Sequence, residues 1–416
     1  MNTKRERARL YGALALTVLS VMLLCALAAG YQPLGYNPYH SYSLQAQAWL
    51  DGRLDLGQNY PWLEIAMYQG KYYISFPPFP SFVMLPFVAV FGVGTPDRLI
   101  SLGIGVVAAV YAFKLAYLYL KDEKKAFFMS LFLCISGNYL MIATASGVWF
   151  IAQSMGFALT LMAVYYGSTD RAGHSFAALL ALCCAMGCRP FQAVYIPLVI
   201  YLIYRKLAKG ESLGWVPLIR QLMVYAIPAI VLGCVYMLLN ILRFGNPLEF
   251  GHTYLPEFLD AEKGQFSLAY VSQNLGSLLR LPWFSEEDAL TFPRFNGMNI
   301  FMVFPILVSY AVYWIGDWFD LGGAEIGSDN SRGILYFGLP VLLLLHIFML
   351  CMHRTMGGFH YGHRYIADAM PCVFLGLLLL VRDRGRHGGF IWNVPAAVFG
   401  LALNVYLTVL FLRDYA

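Results

Sequence analysis

Three stretches of the chain hold the residues whose types could do chemistry. Between Gly30 and Phe79 stand three acids, Asp51, Asp55 and Glu64, with Lys71 and many aromatic residues. Glu64 lies in the otherwise apolar run PWLEIAMY. A carboxylate against an apolar interface is poorly solvated, so its pKa rises and it is suited to take a proton from a hydroxyl. Asp51 and Asp55 lie in DGRLDLG, where Asp and Gly also have ordinary turn and capping uses. A second polar stretch contains Arg243, Glu249, His252, Arg280 and Arg294. The third, HRTMGGFHYGHR, contains His353, Arg354, His360, His363 and Arg364, with Asp368 just beyond it. Arginine presents a planar fork of donors that matches phosphate oxygens. His360 and His363 are three apart, but no third ligand follows at a recognised metal spacing.

The elements that position these groups follow from composition. The 416 residues are 59% hydrophobic and 12% charged, against roughly a quarter charged in a soluble domain. Apolar runs recur near the ~20 residues that cross a bilayer, and the ~10-residue alternation of a barrel is missing. The expected fold class is an all-α polytopic membrane protein. The net charge of +5 bears on orientation and gives no reason to expect nucleic acid as a partner. The eight cysteines lie in or beside apolar runs and read as packing residues.

Lys4, Arg5, Arg7 and Arg9 precede the first apolar span, which places the N-terminus in the cytoplasm and the 31–98 loop outside. Ser81–Val93 is short and contains Pro86, and reads as an interfacial helix that does not cross. The following spans are expected at Leu99–Leu120, Ala126–Thr144, Trp149–Tyr166, His174–Cys188, Phe191–Tyr204, Gln221–Leu242, Gly297–Ile315, Gly333–Cys351, Tyr365–Leu380 and Phe390–Leu412, roughly eleven in all with the first. This order puts Lys121, Lys124 and Lys125, then Arg205, Lys206 and Lys209, then Arg382, Arg384 and Arg386 on the cytoplasmic side. The Asp317–Arg332 loop is acidic and weighs little in the rule. The chain is expected to form one transmembrane domain over 1–416, with no soluble domain and external loops at 31–98, 243–296 and 353–364. PWLEIAMY is expected as a helix on the membrane surface.

Four segments carry a family resemblance: NPYHSYSLQAQAWLDGRLDL, YQGKYYISFPPFPSFVMLPFVAVFG, RFGNPLEFGHTY and GGFHYGHRYIADAMP. In order and placement they resemble the GT-C superfamily of integral-membrane glycosyltransferases, which includes the protein O-mannosyltransferases and the lipid A aminoarabinose transferase. The likeness covers most of the chain and is strongest over Asn37–Gly92 and Gly357–Pro371. It implies a first external loop that supplies a catalytic acid and lies over a cavity for a polyprenyl-phosphate sugar. Many members have an Asp-Glu pair at the start of the loop helix. Aligned on Gly52, this chain has Asn37 and Pro38 there, and its acid before the tyrosine-rich passage is Glu64.

The resemblance therefore implies a transferase that moves a sugar from a polyprenyl-phosphate donor to a glycan, lipid or protein acceptor at the outer face of the plasma membrane. Glu64 is the first candidate for the general base and Asp55 the second. Arg364, Arg280, Arg294, Lys71 and His363 are candidates to bind the donor phosphate, and Tyr72, Tyr73, His360 and Tyr361 to bind substrate. No nucleotide or other cofactor is implied beyond the lipid-linked substrate, and a divalent metal stays open. Two alternatives stand beside this reading. One is a lipid-linked sugar flippase or transporter, although such proteins place charges within their spans, and here Lys114 and Asp368 stand nearly alone there. The other is an inactive glycan-assembly subunit, which Asn37 at the acid position keeps open.

Overall fold

The computed structural model describes residues 2–208, 213–320, 330–384 and 389–415. Lys209, Arg386 and positions 321–329 of the acidic loop lie outside the described residues. A chain this apolar can satisfy its backbone polar groups in a bilayer only within helices or a closed barrel, and helix dominates throughout. The protein is an all-α, multi-pass membrane protein. Among the described residues eight helices are long and apolar enough to cross a membrane, from Glu6–Ala28 to Phe390–Tyr415. Shorter apolar helices lie at Phe79–Gly94 and His174–Met186. All eight cysteines are free, and six are buried.

The chain divides into two compact units. The first consists of 1–31, 105–144 and 268–416. Its most enclosed span, Arg364–Asp383, buries 89% of its apolar window. Two segments expected as unbroken spans are interrupted here. Ala126–Thr144 resolves into Glu123–Cys134 and Tyr139–Thr144, and Gly297–Ile315 into Ile300–Val303 and Pro305–Asp320. Pro305 has no N–H to continue a helix across the second break. Each break frees backbone groups that must find partners. The C-terminal span supplies one: Asn404 Nδ2 donates to Ser136 O at 3.4 Å, Val303 O at 3.2 Å and Gly400 O at 2.9 Å. The Asn138 N–H also donates to Val303 O at 2.9 Å, joining the two breaks.

The second unit consists of 32–104 and 145–267. It contains the loop helix Ser41–Leu50, a hairpin, the helix Phe79–Phe91 and the spans Val148–Ser168, Pro190–Ala208 and Trp215–Phe244. The apolar window of Trp215–Phe244 buries none of its residues, as suits a helix whose solvent is lipid. Its last turn is anchored: buried Arg243 donates from Nη2 to Asn240 Oδ1 at 2.9 Å and from Nη1 to Ile74 O at 3.4 Å.

The hairpin corrects one expectation. PWLEIAMY is not helical. Ile65–Tyr68 pairs antiparallel with Lys71–Ile74, in register Ile65 to Ile74 and Tyr68 to Lys71. The two residues between them, Gln69 and Gly70, have φ of 49° and 74°. Such a left-handed pair turns a chain back with the twist that flanking strands require, and the strands are rich in Ile and Tyr.

Candidate functional site

In the second unit the first loop is built around the loop helix and the hairpin. Glu64 directly precedes the first strand and is partly exposed; its carbonyl accepts the Ser75 hydroxyl at 2.8 Å. Its charge is felt by the buried phenol of Tyr42, as is that of Arg189. The acids of DGRLDLG take the turn and capping partners that their setting suggests. Asp51 follows the loop helix and binds Gln47 Nε2 at 2.9 Å and Arg53 Nη2 at 3.1 Å. Those two hydrogen bonds hold its carboxyl below the ordinary range, which makes it a weak base. Asp55 Oδ1 accepts the Gly57 N–H at 2.9 Å, and its other oxygen lies 3.9 Å from Lys71 Nζ. Lys71 is mostly exposed.

The two tyrosines of the second strand are packing residues in part. Tyr73 is buried with Ala66 and Phe244, its ring 5.2 Å from that of Phe244. Tyr72 leans on the cluster of Leu44, Leu56, Leu63 and Ile74. His252 sits at the same edge, its Nδ1 3.2 Å from Ser75 O and its ring against Phe76 and Phe258. Burial, opposed by that backbone bond and helped by Arg189, lowers its pKa to about 4, so it is neutral near pH 7.

Asn37 is buried, and its N–H donates to Asp97 Oδ1 at 2.8 Å. Asp97 is a buried carboxylate outside every polar stretch of the sequence that suggests chemistry. Its only signal was Thr95-Pro96-Asp97 at a helix start, which reads as a cap. Tyr42, Gln45 and Arg189 carry no signal in the sequence either, because a tyrosine or an amide in a helix and an Arg-Pro turn are ordinary features.

In the first unit six of the sequence candidates (Arg280, Arg294, His360, Tyr361, His363 and Arg364) come from one folded assembly, 280–299 with 353–364. Phe295 bridges Phe359, the Asn296 N–H donates to Gly358 O at 3.0 Å, and the Met298 N–H to Gly362 O at 2.9 Å. Arg280 reaches back with Nη1 to Phe295 O at 3.1 Å. Arg294 accepts the His360 N–H at its carbonyl, and its guanidinium lies 5.9 Å from the centre of the Tyr361 ring. Tyr361 is buried and donates its hydroxyl to Asp414 Oδ2 at 2.8 Å. Arg364 is buried too, with Nε and Nη2 both on Gly357 O at 3.0 and 2.8 Å. Asn138 ties this loop to the helix break: Oδ1 accepts the His363 N–H and Nδ2 donates to Tyr361 O.

His360 and His363 are fully buried with ring centres 6.3 Å apart, and none of their four ring nitrogens has a hydrogen-bond partner among the described residues. Burial and then the charges of Arg364 and His363 push His360 well below its ordinary value. Burial, opposed by its own backbone and reinforced by Arg280, lowers His363 to about 3. Both imidazoles are neutral at pH 7, each able to give one hydrogen bond and take one. Four candidates for an anion (Arg280, Arg294, His363 and Arg364) therefore belong to one framework, and His360 and Tyr361 lie in the same loop. Among the described residues no three His, Cys, Asp or Glu side chains form a metal-holding group.

No protein-family model matches the chain, and a search of curated proteins returns no relative. Solved structures do resemble it. ArnT from Cupriavidus metallidurans bound to undecaprenyl phosphate matches with a TM-score of 0.52 and 15% identity, over 99% of this chain and 77% of that one. The apo form of the same protein matches with a TM-score of 0.50 and 14% identity, over 99% and 78%. The chain therefore shares the fold of ArnT. The likeness runs through nearly the whole chain.

Proposed function

We propose that this protein is a glycosyltransferase that moves a sugar from a polyprenyl-phosphate donor to an acceptor at the outer face of the plasma membrane. One observation carries the reading: 99% of the chain matches the structure of ArnT bound to undecaprenyl phosphate. The clustering of cations in 280–299 and 353–364 supports it.

In this reading a carboxylate, Glu64 before Asp55, takes the proton of the acceptor hydroxyl. The acceptor oxygen forms a bond to the anomeric carbon while the bond from that carbon to the phosphate oxygen breaks. The electron pair leaves with polyprenyl phosphate, whose charge Arg364, Arg280, Arg294 and His363, with Lys71, would stabilise. Arg364 is the strongest of these by preparation, since its guanidinium plane is set in advance by two bonds to Gly357 O. Tyr72, Tyr73, His360 and Tyr361 would shape the substrate site. The acceptor is a glycan, lipid or protein bearing a hydroxyl. The test is transfer from a synthetic polyprenyl-phosphate sugar by the purified full-length protein in lipid discs. Release of polyprenyl phosphate together with a glycosylated acceptor is expected, and its failure across a panel of sugars and acceptors overturns the reading.

A further inference from the structure

In the first unit a short hairpin exposes apolar side chains on both of its faces. Trp283–Phe284 pairs antiparallel with Leu290–Thr291, Trp283 opposite Thr291 and Phe284 opposite Leu290. Residues paired in register share a face, and successive residues alternate. Phe284 and Leu290 therefore stand on one face and Trp283 on the other. Phe284 is 71% exposed, Leu290 52% and Trp283 49%, and Leu281, just before the hairpin, is 60% exposed. The turn closes on itself: the Ser285 N–H donates to Ala289 O at 2.9 Å and the Asp288 N–H to Ser285 O at 3.0 Å. It carries three exposed acids, Glu286, Glu287 and Asp288. A lone two-stranded hairpin is marginal in water, and a contiguous exposed apolar patch marks a surface that something covers.

Two contacts show what covers it. The helix that leads into the hairpin, Val271–Leu278, buries Asn274 and Ser277, while Leu275 and, one turn on, Leu279 stand exposed. A water-facing surface prefers the reverse. Asn274 Nδ2 donates to Cys351 O at 2.9 Å and to His353 O at 2.7 Å, which seats this helix on the end of the span Gly333–Cys351. After the hairpin, the ring of Phe292 lies 5.7 Å from that of Tyr406 in the span Phe390–Tyr415. The end of that span lies on the same side, since Asp414 bonds Tyr361 of the 353–364 loop. Tyr406 comes about 12 Å before Asp414 at 1.5 Å per residue. Tyr406 is exposed, as are Val398 and Phe399 further along the span. The apolar surface of the hairpin thus continues the lipid-facing surface of a membrane span. Depth is limited from the other direction: open strand edges do not enter hydrocarbon, and the three acids would be costly there. Both limits meet at the membrane interface, where tryptophan is favoured.

We propose that 281–291 is a membrane-docking hairpin, in which Leu281, Trp283, Phe284 and Leu290 insert among the lipids on the side of the 353–364 loop. The turn Glu286–Asp288 stays in water. The partner is the lipid surface itself. Arg280 and Arg294, both exposed and on either side of the hairpin, are thereby held at the level of the lipid phosphates. The inference stands apart from the glycosyl-transfer reading and does not need it.

The experiment uses the full-length protein in discs of phosphatidylcholine, with exposed Cys234 replaced. A nitroxide spin label is attached at Leu281→Cys, Phe284→Cys or Glu287→Cys, and the protein without an added cysteine is the blank. Collision of each label with oxygen, which concentrates in lipid, is compared with collision with a water-soluble nickel chelate. The ratio of oxygen to nickel collisions should be severalfold higher at 281 and 284 than at 287. A ratio at 281 and 284 equal to that at 287 puts the hairpin in water and overturns the proposal. Labels at 281 and 284 shielded from both reagents mean that a second copy or another protein covers it, which overturns the proposal as well. A second measurement needs no label. In discs of brominated phosphatidylcholine, wild type should lose more fluorescence than Trp283→Phe, because bromine quenches an indole in contact with acyl chains. Equal losses in the two proteins would place Trp283 away from lipid and overturn the proposal.

Discussion

Asn138 holds the peptide groups on both sides of Gly362: its Oδ1 accepts the His363 N–H at 3.0 Å, and its Nδ2 donates to Tyr361 O at 3.1 Å. One amide in a broken helix therefore sets the backbone that presents His363 and Arg364. Asn138→Ala leaves a buried N–H and a buried carbonyl unpaired, a cost of about 1–3 kcal/mol for each. The expected result is a lower thermal midpoint together with weaker binding of polyprenyl phosphate. Normal binding by a folded Asn138→Ala protein would show that the amide does not position the loop.

Glu64→Gln keeps the shape of the side chain and its backbone contact with Ser75, and removes the basic oxygen. Turnover with a polyprenyl-phosphate sugar should fall by about 10²–10⁴-fold, the usual share of a general base, with donor affinity little changed. Asp55→Asn should cost far less, because Asp55 is engaged with Gly57 and Lys71. Steady-state kinetics on the two variants ranks them; the reverse order would transfer the base role to Asp55.

Gly297 has φ of +99°, and a Cβ there would overlap the ring of His363. Gly297→Ala should displace that imidazole and cost about 1–3 kcal/mol through overpacking, with added backbone strain. Chemical denaturation measures the cost. A nearly neutral substitution would mean that the histidine ring has room to move aside.

The buried imidazole of His363 makes stability depend on pH, and the sign follows from its depressed pKa. In the unfolded chain it takes a proton below about 6.5, whereas in the folded protein it does so only near 3. The unfolded state therefore binds more protons between these values, and stability falls as pH drops from 6.5 toward 3. His360 acts in the same direction. Thermal midpoints of wild type and His363→Gln across this range should converge as pH falls. Parallel curves would mean that His363 is protonated in the folded protein.

Sidedness is open to a direct test. Cysteines placed at Asp122 and Arg384 should resist an impermeant thiol reagent in intact cells, and one at Gln58 should react. Native Cys234 is exposed and should be replaced first. Labelling at Asp122 and Arg384 would invert the orientation.

What the sequence determined by itself is the solvent. Apolar runs of bilayer length admit little besides helices, so the all-α membrane fold and most span positions could be read from hydropathy alone. The helix at Phe79–Phe91 and the assignment of the cysteines to packing followed from the same composition. The candidate site residues were legible as well, since Arg280, Arg294, His360, His363 and Arg364 stand out in polar stretches.

Tertiary structure decided the rest, because it depends on partners far away in the chain. PWLEIAMY folds as a strand because a left-handed Gln69-Gly70 turn gives it Tyr72 and Tyr73 to pair with. Helices break at 135–138 and at Phe304 because Asn404, more than a hundred residues later, accepts the burden of their free carbonyls. Ser41 and Gln45 form no motif in the sequence, and their burial in the loop helix is a property that only three dimensions can assign.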